Sequence, residues 1–224
     1  MTPHNSSALG HDQDEVDGVD SIDDLYDAVQ HTQWARFQDI LAATPKNPVN
    51  DSVLLDVLTW AAKLGRTDFV EALISRVDPL QDDSAALIKA AQYGHTECVK
   101  LLIPCSDPKA DSSRALRMAA RKGNIAIVEM LIPHSDCNAV RGHALRVAAG
   151  FGHLDVVRLL VAVSDPEADV HSEALAAAAE NFNTEMIDAL WDFSDHGNAL
   201  GFLRLYDRGD AVEFLRQHIV RKQH

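Results

Sequence analysis

Apolar and polar positions recur along this chain with the spacing of amphipathic helices, in short blocks that repeat at a nearly fixed distance. Four blocks align at intervals of 29 residues, and a fifth follows after 30. They read TWAAKLGRTDFVEALI (59–74), IKAAQYGHTECVKLLI (88–103), RMAARKGNIAIVEMLI (117–132), RVAAGFGHLDVVRLLV (146–161) and AAAAENFNTEMIDALW (176–191). Self-similarity at such a period is typical of a solenoid of stacked units.

Each block predicts two short helices. The first contains an alanine pair, and alanine has the highest helix propensity. In four blocks a glycine follows three residues after the pair, and we expect it to end the helix in a left-handed conformation. Phe182 stands there in the fifth block, so we expect a different turn. The second helix has apolar residues at i, i+3 and i+4, which predicts one buried stripe, and Pro104 and Pro133 end it in two units.

An aspartate follows the second helix in every block. The positions are Asp78, Asp107, Asp136, Asp165 and Asp195, and proline follows three of them, as Pro79, Pro108 and Pro166. Asp-Pro favours a turn. Metal sites would need a further ligand beside each aspartate, and the pattern supplies one carboxylate per unit. The sequence therefore predicts turns here and no metal.

Weaker copies of the block lie on both sides, at 25–41 and 199–215. End units of a solenoid are expected to be atypical, because one of their faces meets water. We predict about seven units over residues 22–218, with degenerate end units at 22–50 and 196–218 and a C-terminal tail at 219–224. The first 24 residues hold seven acidic side chains and no basic one, so we predict that residues 1–21 are a disordered acidic tail.

The blocks resemble ankyrin repeats, most closely in AAQYGHTECVKLL (90–102) and AAGFGHLDVVRLL (148–160), and nearly as well in AARKGNIAIVEML (119–131). The resemblance implies an all-α solenoid of about seven helix-turn-helix units. Ankyrin units usually have 33 residues, and the T-P-L-H opening is reduced here, for example to AALI (85–88). We therefore expect the projecting hairpin to be shortened to a tight turn. The LIPxSD phrase at 102–107 and 131–136 resembles ankyrin arrays of bacteria and large DNA viruses.

The resemblance also implies a protein-interaction scaffold that binds through the concave face formed by the first helices and the turns. In the family, the two residues after each alanine pair vary with the partner. The first row reads Lys63, Gln92, Arg121, Gly150 and Glu180, and the second reads Leu64, Tyr93, Lys122, Phe151 and Asn181. We expect an exposed ladder of Leu64, Tyr93, Lys122 and Phe151, flanked by Lys63, Gln92 and Arg121. The alternative is that Tyr93 and Phe151 only cover helix ends.

Charge adds a second argument for this face. The chain has a formal net charge of −14, yet residues 114–146 hold six basic side chains against two acidic ones. We predict a basic inner patch that includes Arg114, Arg121, Lys122 and Arg146 and binds an acidic segment of a partner, with Arg117 half-buried. Nucleic acid is the alternative ligand, and the turn aspartates argue against it because they would repel phosphates. The acidic tail could also fold back over the patch.

No catalytic motif stands out. The sequence has eleven histidines but no HExxH, CxxC, GxSxG or GxxxxGK pattern, and the motif position of His95 and His153 indicates a structural role. We expect Cys98 to be buried, and Cys105 and Cys137 to be accessible in turns. The predicted function is a monomeric, cytoplasmic, non-enzymatic binding module without a cofactor, acting as an adaptor, an immunity-type protein or an effector delivered into a host. A small unrecognised active site on the scaffold is the alternative.

Overall fold

The computed structural model describes residues 20–165 and 169–223. Residues 1–19, which make up most of the predicted acidic tail, lie outside the described residues, as do Pro166 of the fourth turn and His224. The helices within the described ranges are α1 (Asp20–Gln30), α2 (Trp34–Ala43), α3 (Pro48–Leu64), α4 (Thr67–Ile74), α5 (Ala85–Tyr93), α6 (Thr96–Leu102), α7 (Ala110–Lys122), α8 (Ile125–Leu131), α9 (Ala139–Phe151), α10 (Leu154–Val161), α11 (Val170–Glu180), α12 (Thr184–Leu190), α13 (His196–Leu205) and α14 (Gly209–Lys222).

The helices form seven consecutive pairs that stack in two layers. The first helices, α1, α3, α5, α7, α9, α11 and α13, pack side by side, and the second helices from α4 to α12 pack in a parallel row. No strand occurs in residues 20–165 or 169–223. The predicted all-α solenoid with shortened hairpins is therefore confirmed.

The core follows the repeated pattern. The ten alanines of the five pairs are fully buried in the first helices, where their small side chains let neighbouring helices approach. The apolar stripes of the second helices, such as Val128 and Leu131, are fully buried as well. The last helix continues to Lys222, past the boundary predicted at 218, because Ile219 still packs against the core.

In the four blocks that have it, the glycine after the alanine pair ends the first helix in the left-handed conformation. Gly123 has φ +71°, and the backbone N–H groups of Gly123 and Asn124 donate to the carbonyls of Ala120 and Ala119. A Cβ atom at Gly123 would lie 2.6 Å from Nδ1 of His153. Both the backbone conformation and the next unit therefore require glycine at this position.

The expectation of a different turn at Phe182 is wrong. Phe182 has φ +54°, and it repeats the same two hydrogen bonds, from Phe182 N–H to Ala179 O and from Asn183 N–H to Ala178 O. A left-handed conformation costs about 1–2 kcal/mol for a residue with a Cβ atom. The ring of Phe182 packs edge-on against Phe214, with 5.2 Å between the centroids, which offsets part of that cost.

A left-handed turn at the start of the first helix, inside the bounds of α7, takes the place of the ankyrin hairpin. Asp111, Ser112 and Ser113 have φ of +46°, +55° and +57°, and the buried hydroxyl of Ser113 accepts the backbone N–H of Asp136 at 2.8 Å. We call this bond between neighbouring units the serine clip. Two further serine clips occur in other units: Ser84 accepts the backbone N–H of Asp107 at 2.7 Å, and Ser172 accepts that of Asp195 at 3.1 Å.

The aspartates lie in the turns, as predicted. The carboxylates of Asp107 and Asp136 accept the backbone N–H two residues later, each at 2.9 Å. Nε2 of His95 lies 2.9 Å from the carbonyl oxygen of Lys63 in the preceding unit, and Nε2 of His153 lies 3.0 Å from that of Arg121. These two histidines therefore join neighbouring units, in agreement with a structural role.

Candidate functional site

The exposed side chains of the first helices and of the turns before them form a surface that we call the inner face. Among the predicted binding residues, Tyr93 and Phe151 are 49% and 57% exposed, and the side chains of Arg114, Arg121 and Lys122 are also exposed. Lys63, Gln92 and Arg146 are half-buried. Leu64 packs against the core, so it is not an exposed rung of the expected ladder.

Cations of the first row lie over aromatic rings of the second row in the next unit. Nζ of Lys63 is 5.7 Å from the ring centroid of Tyr93, and the guanidinium carbon of Arg121 is 5.2 Å from that of Phe151. A cation at this distance from a ring face is attracted to it. In each of these two places, a side chain of the first row and a side chain of the second row therefore lie side by side across neighbouring units.

The basic patch is smaller than the charge count suggests. Arg114 forms an ion pair with Asp111 at 2.9 Å, and Nε of Arg146 lies 3.7 Å from Glu173 of the next unit. The guanidinium of half-buried Arg117 donates to the backbone carbonyls of Asp111 and Ser112, at 2.7 and 3.1 Å, so Arg117 stabilises the turn.

In the part of the chain that the structure describes, Arg121 and Lys122 have no such partner. No carboxylate among residues 20–165 and 169–223 pairs with either of them within 4.0 Å. His143 on α9 has a pKa below the usual value, first because of burial and then because Arg146, Arg117 and Arg121 repel its charged form. The arginines of α7 and α9 therefore create a positive region on the inner face.

Next to this region lies an open groove of about 460 Å³ between α9, α11 and α13, which we call the trough. Ala176 and Ala177 of α11 form its floor, Arg141 and Arg146 line one side, and Phe202 and Tyr206 line the other. Glu173, Glu180, Arg208 and Val140 complete the lining. Of these residues, only Arg146 was among the predicted binding residues. The sequence feature that could have indicated the trough was Gly150, a small residue in a row of otherwise large side chains.

The cysteines do not form a reactive site. Cys98 is buried as expected, and Cys137, expected to be accessible, is buried too because its side chain packs in the core. Cys105 is half-buried. Burial raises the pKa of all three thiols. Since the thiolate is the reactive form, this makes them poor nucleophiles.

Two further properties concern the part of the chain that the structure describes. There, no group of three or more His, Cys, Asp or Glu side chains is arranged to hold a metal ion. No helix in the same ranges combines the length and apolar character needed to cross a membrane.

Comparison with known families gives one match. Residues 58–141 match the family model for ankyrin repeats, in three copies. A comparison with curated proteins gives no match. The matched segment contains Arg114, Arg121 and Lys122, and it ends in the first residues of α9, ahead of most of the trough.

Proposed function

Because residues 58–141 of this chain match the family model for ankyrin repeats, we propose that the chain is a non-enzymatic interaction module whose inner face binds an acidic segment of a partner protein. Ankyrin repeats indicate a protein–protein interaction module. The finer proposal rests on one observation: Arg121, stacked on the exposed ring of Phe151, and Lys122 have no carboxylate partner among the described residues.

The composition of this area supports protein binding. Aromatic and arginine side chains are enriched among the residues that dominate binding energy in protein interfaces. A carboxylate from a partner would form a charge-assisted hydrogen bond with the guanidinium of Arg121. A net charge of −14 and exposed turn aspartates such as Asp107 and Asp136 oppose binding of phosphate backbones, which favours a protein over nucleic acid.

We also propose that the module acts as a monomer in a reducing cytoplasm, as an adaptor, an effector or an immunity-type protein. The three cysteines are free, and free thiols are typical of reducing compartments.

The test compares the full chain with the Arg121→Ala and Phe151→Ala variants in a quantitative pull-down from the native host. Proteins captured by the wild-type chain are identified by mass spectrometry, and the affinity of the purified partner is then measured. We expect each variant to lower that affinity about tenfold or more, as residues that dominate interfaces do. Because both side chains are exposed, the melting temperature should stay unchanged.

Arg158→Ala is the matched control. Arg158 is an exposed arginine on α10, in the layer of second helices, so its loss should leave partner capture unchanged. Equal capture by the wild-type chain and by the Arg121→Ala and Phe151→Ala variants would contradict the proposed binding face.

A further inference from the structure

The inner face loses side-chain volume along the stack, and this loss creates the trough. Immediately before the alanine pair, successive units carry Trp60, Lys89, Met118, Val147 and Ala177. In the first row, Gly150 stands where the preceding unit has Arg121. A Cβ atom on Gly150 would come 3.8 Å from the Cβ of Ala177, so the two smallest positions adjoin each other.

The walls of the trough carry more positive than negative charge. Glu173 pairs with Arg141 at 3.0 Å, and Glu180 lies 3.6 Å from Nε of Arg208. With Arg146, three arginines face two glutamates along the lining. Nε of Arg146 is shielded from solvent and lies 3.7 Å from Glu173, so the wall offers a carboxylate its excess of one positive charge and not a free donor at Nε.

Part of the rim and part of the floor are apolar. Tyr206 is 66% exposed and Val140 is 53% exposed, while the floor presents the methyl groups of Ala176 and Ala177. A volume of about 460 Å³ falls within the roughly 300–1,000 Å³ that is typical of ligand pockets. An apolar floor below arginines fits a bulky apolar side chain flanked by carboxylates.

We propose that the trough is an anchor pocket that takes one bulky apolar side chain of an acidic partner segment, while Arg146 and the neighbouring arginines bind the carboxylates beside it. This inference rests on the proposed function, because it requires a partner on the inner face. Arg121 and Phe151 then form the adjoining part of the same interface, since Phe151 follows Gly150 on α9.

The test fills the trough with side chains that the stack already tolerates. Ala177→Met introduces the residue found at the equivalent position as Met118, and Gly150→Gln introduces the one found as Gln92. Only ordinary contact distance separates a Cβ on Gly150 from its neighbour, so both variants should fold. Lys89→Met is the matched control, because it places the same side chain at the same position of the third unit.

Three fluorescein-labelled peptides serve as probes: leucine flanked by three glutamates on each side, glycine flanked in the same way, and leucine flanked by lysines. Fluorescence anisotropy with the full chain should show the leucine-centred acidic peptide binding about tenfold more tightly than the glycine-centred one, a typical contribution of an apolar pocket. Ala177→Met and Gly150→Gln should abolish that difference, and Lys89→Met should preserve it.

The outcomes separate the two proposals. If Arg121→Ala weakens both acidic peptides while Ala177→Met weakens neither, the binding face stands and the anchor pocket is overturned. If no acidic peptide binds, or if the lysine peptide binds best, both are overturned. If deletion of residues 1–21 raises the affinity for the leucine-centred acidic peptide about tenfold, the occupant is the chain's own acidic segment, which overturns the assignment to a partner.

Discussion

The fourth unit (α7 and α8) and the sixth unit (α11 and α12) end their first helices in the same way with different residues. Gly123 has φ +71° and Phe182 has φ +54°, and both turns close with the same pair of backbone hydrogen bonds. Ser113 and Ser172 make the same serine clip to the following unit. The fourth unit lies inside the segment that matches ankyrin repeats, and the sixth lies outside it. The comparison teaches that contacts with neighbouring units can maintain a turn whose local motif is lost.

The largest expected effect tests this difference directly. Gly123→Ala should destabilise the chain by about 2–4 kcal/mol, because a Cβ atom is strained in the left-handed region and would overlap the ring of His153. Phe182→Gly should stay within about 1 kcal/mol of wild type, because relief of that strain offsets the lost contact with Phe214. Denaturant unfolding measures both. An equal loss of unfolding free energy in the two variants would show that the two turns are under the same constraint.

The next effect concerns the clip that both units share. Ser113→Ala should cost about 1–3 kcal/mol, because it leaves the backbone N–H of Asp136 without its acceptor. Ser112→Ala is the control, since Ser112 has the same left-handed backbone but an exposed side chain. Both variants are compared by the free energy of unfolding in urea. Similar values would rule out a stabilising role for the clip.

The smallest expected effect is a pH dependence of stability that comes from a buried histidine of the sixth unit. His171 is 2% exposed, and neither ring nitrogen has a hydrogen-bond partner among the described residues. Burial lowers its pKa, and the nearby Asp165 opposes this only in part. The unfolded chain therefore takes up a proton near pH 6.5 while the folded chain still excludes it, so stability falls as the pH drops below that value, by up to about 1.4 kcal/mol per pH unit.

The melting temperature of the His171→Leu variant should therefore fall less than that of wild type when the pH is lowered from about 7 to about 5. His143→Gln is the comparison variant, since the pKa of His143 is also lowered, there with a contribution from arginines. An acid dependence that is identical in wild type and His171→Leu would contradict a neutral, buried His171.

The helix pairs, their stacking and the buried alanines could be predicted from the sequence, because each depends on a pattern within one block of residues. The turn at Phe182 could not, because a phenylalanine gives no local reason to adopt a left-handed conformation. The hydroxyl of Ser113 bonds to Asp136, 23 residues later, although serine recurs at Ser84 and Ser113 with the repeat period.

The inner face was predictable in part for the same reason. The exposure of Arg121, Lys122 and Phe151 follows from their position after the alanine pair. The pairing of Arg146 with Glu173 joins two units, so the charge count over residues 114–146, which does not include Glu173, overestimated the free positive charge. The trough arises where small residues of α9 and α11 meet, and a pattern read along one helix does not show what faces it from the next.

The serine clip has a consequence for how such a chain can change in evolution. Ser84 bonds to Asp107 and Ser113 to Asp136, in each case 23 residues ahead. Removal of one 29-residue period would therefore bring a new serine and a new aspartate into the same relation, whereas removal of a partial period would leave a clip without its acceptor. Gain or loss of a whole period in this part of the stack would thus preserve the clip while it lengthens or shortens the inner face.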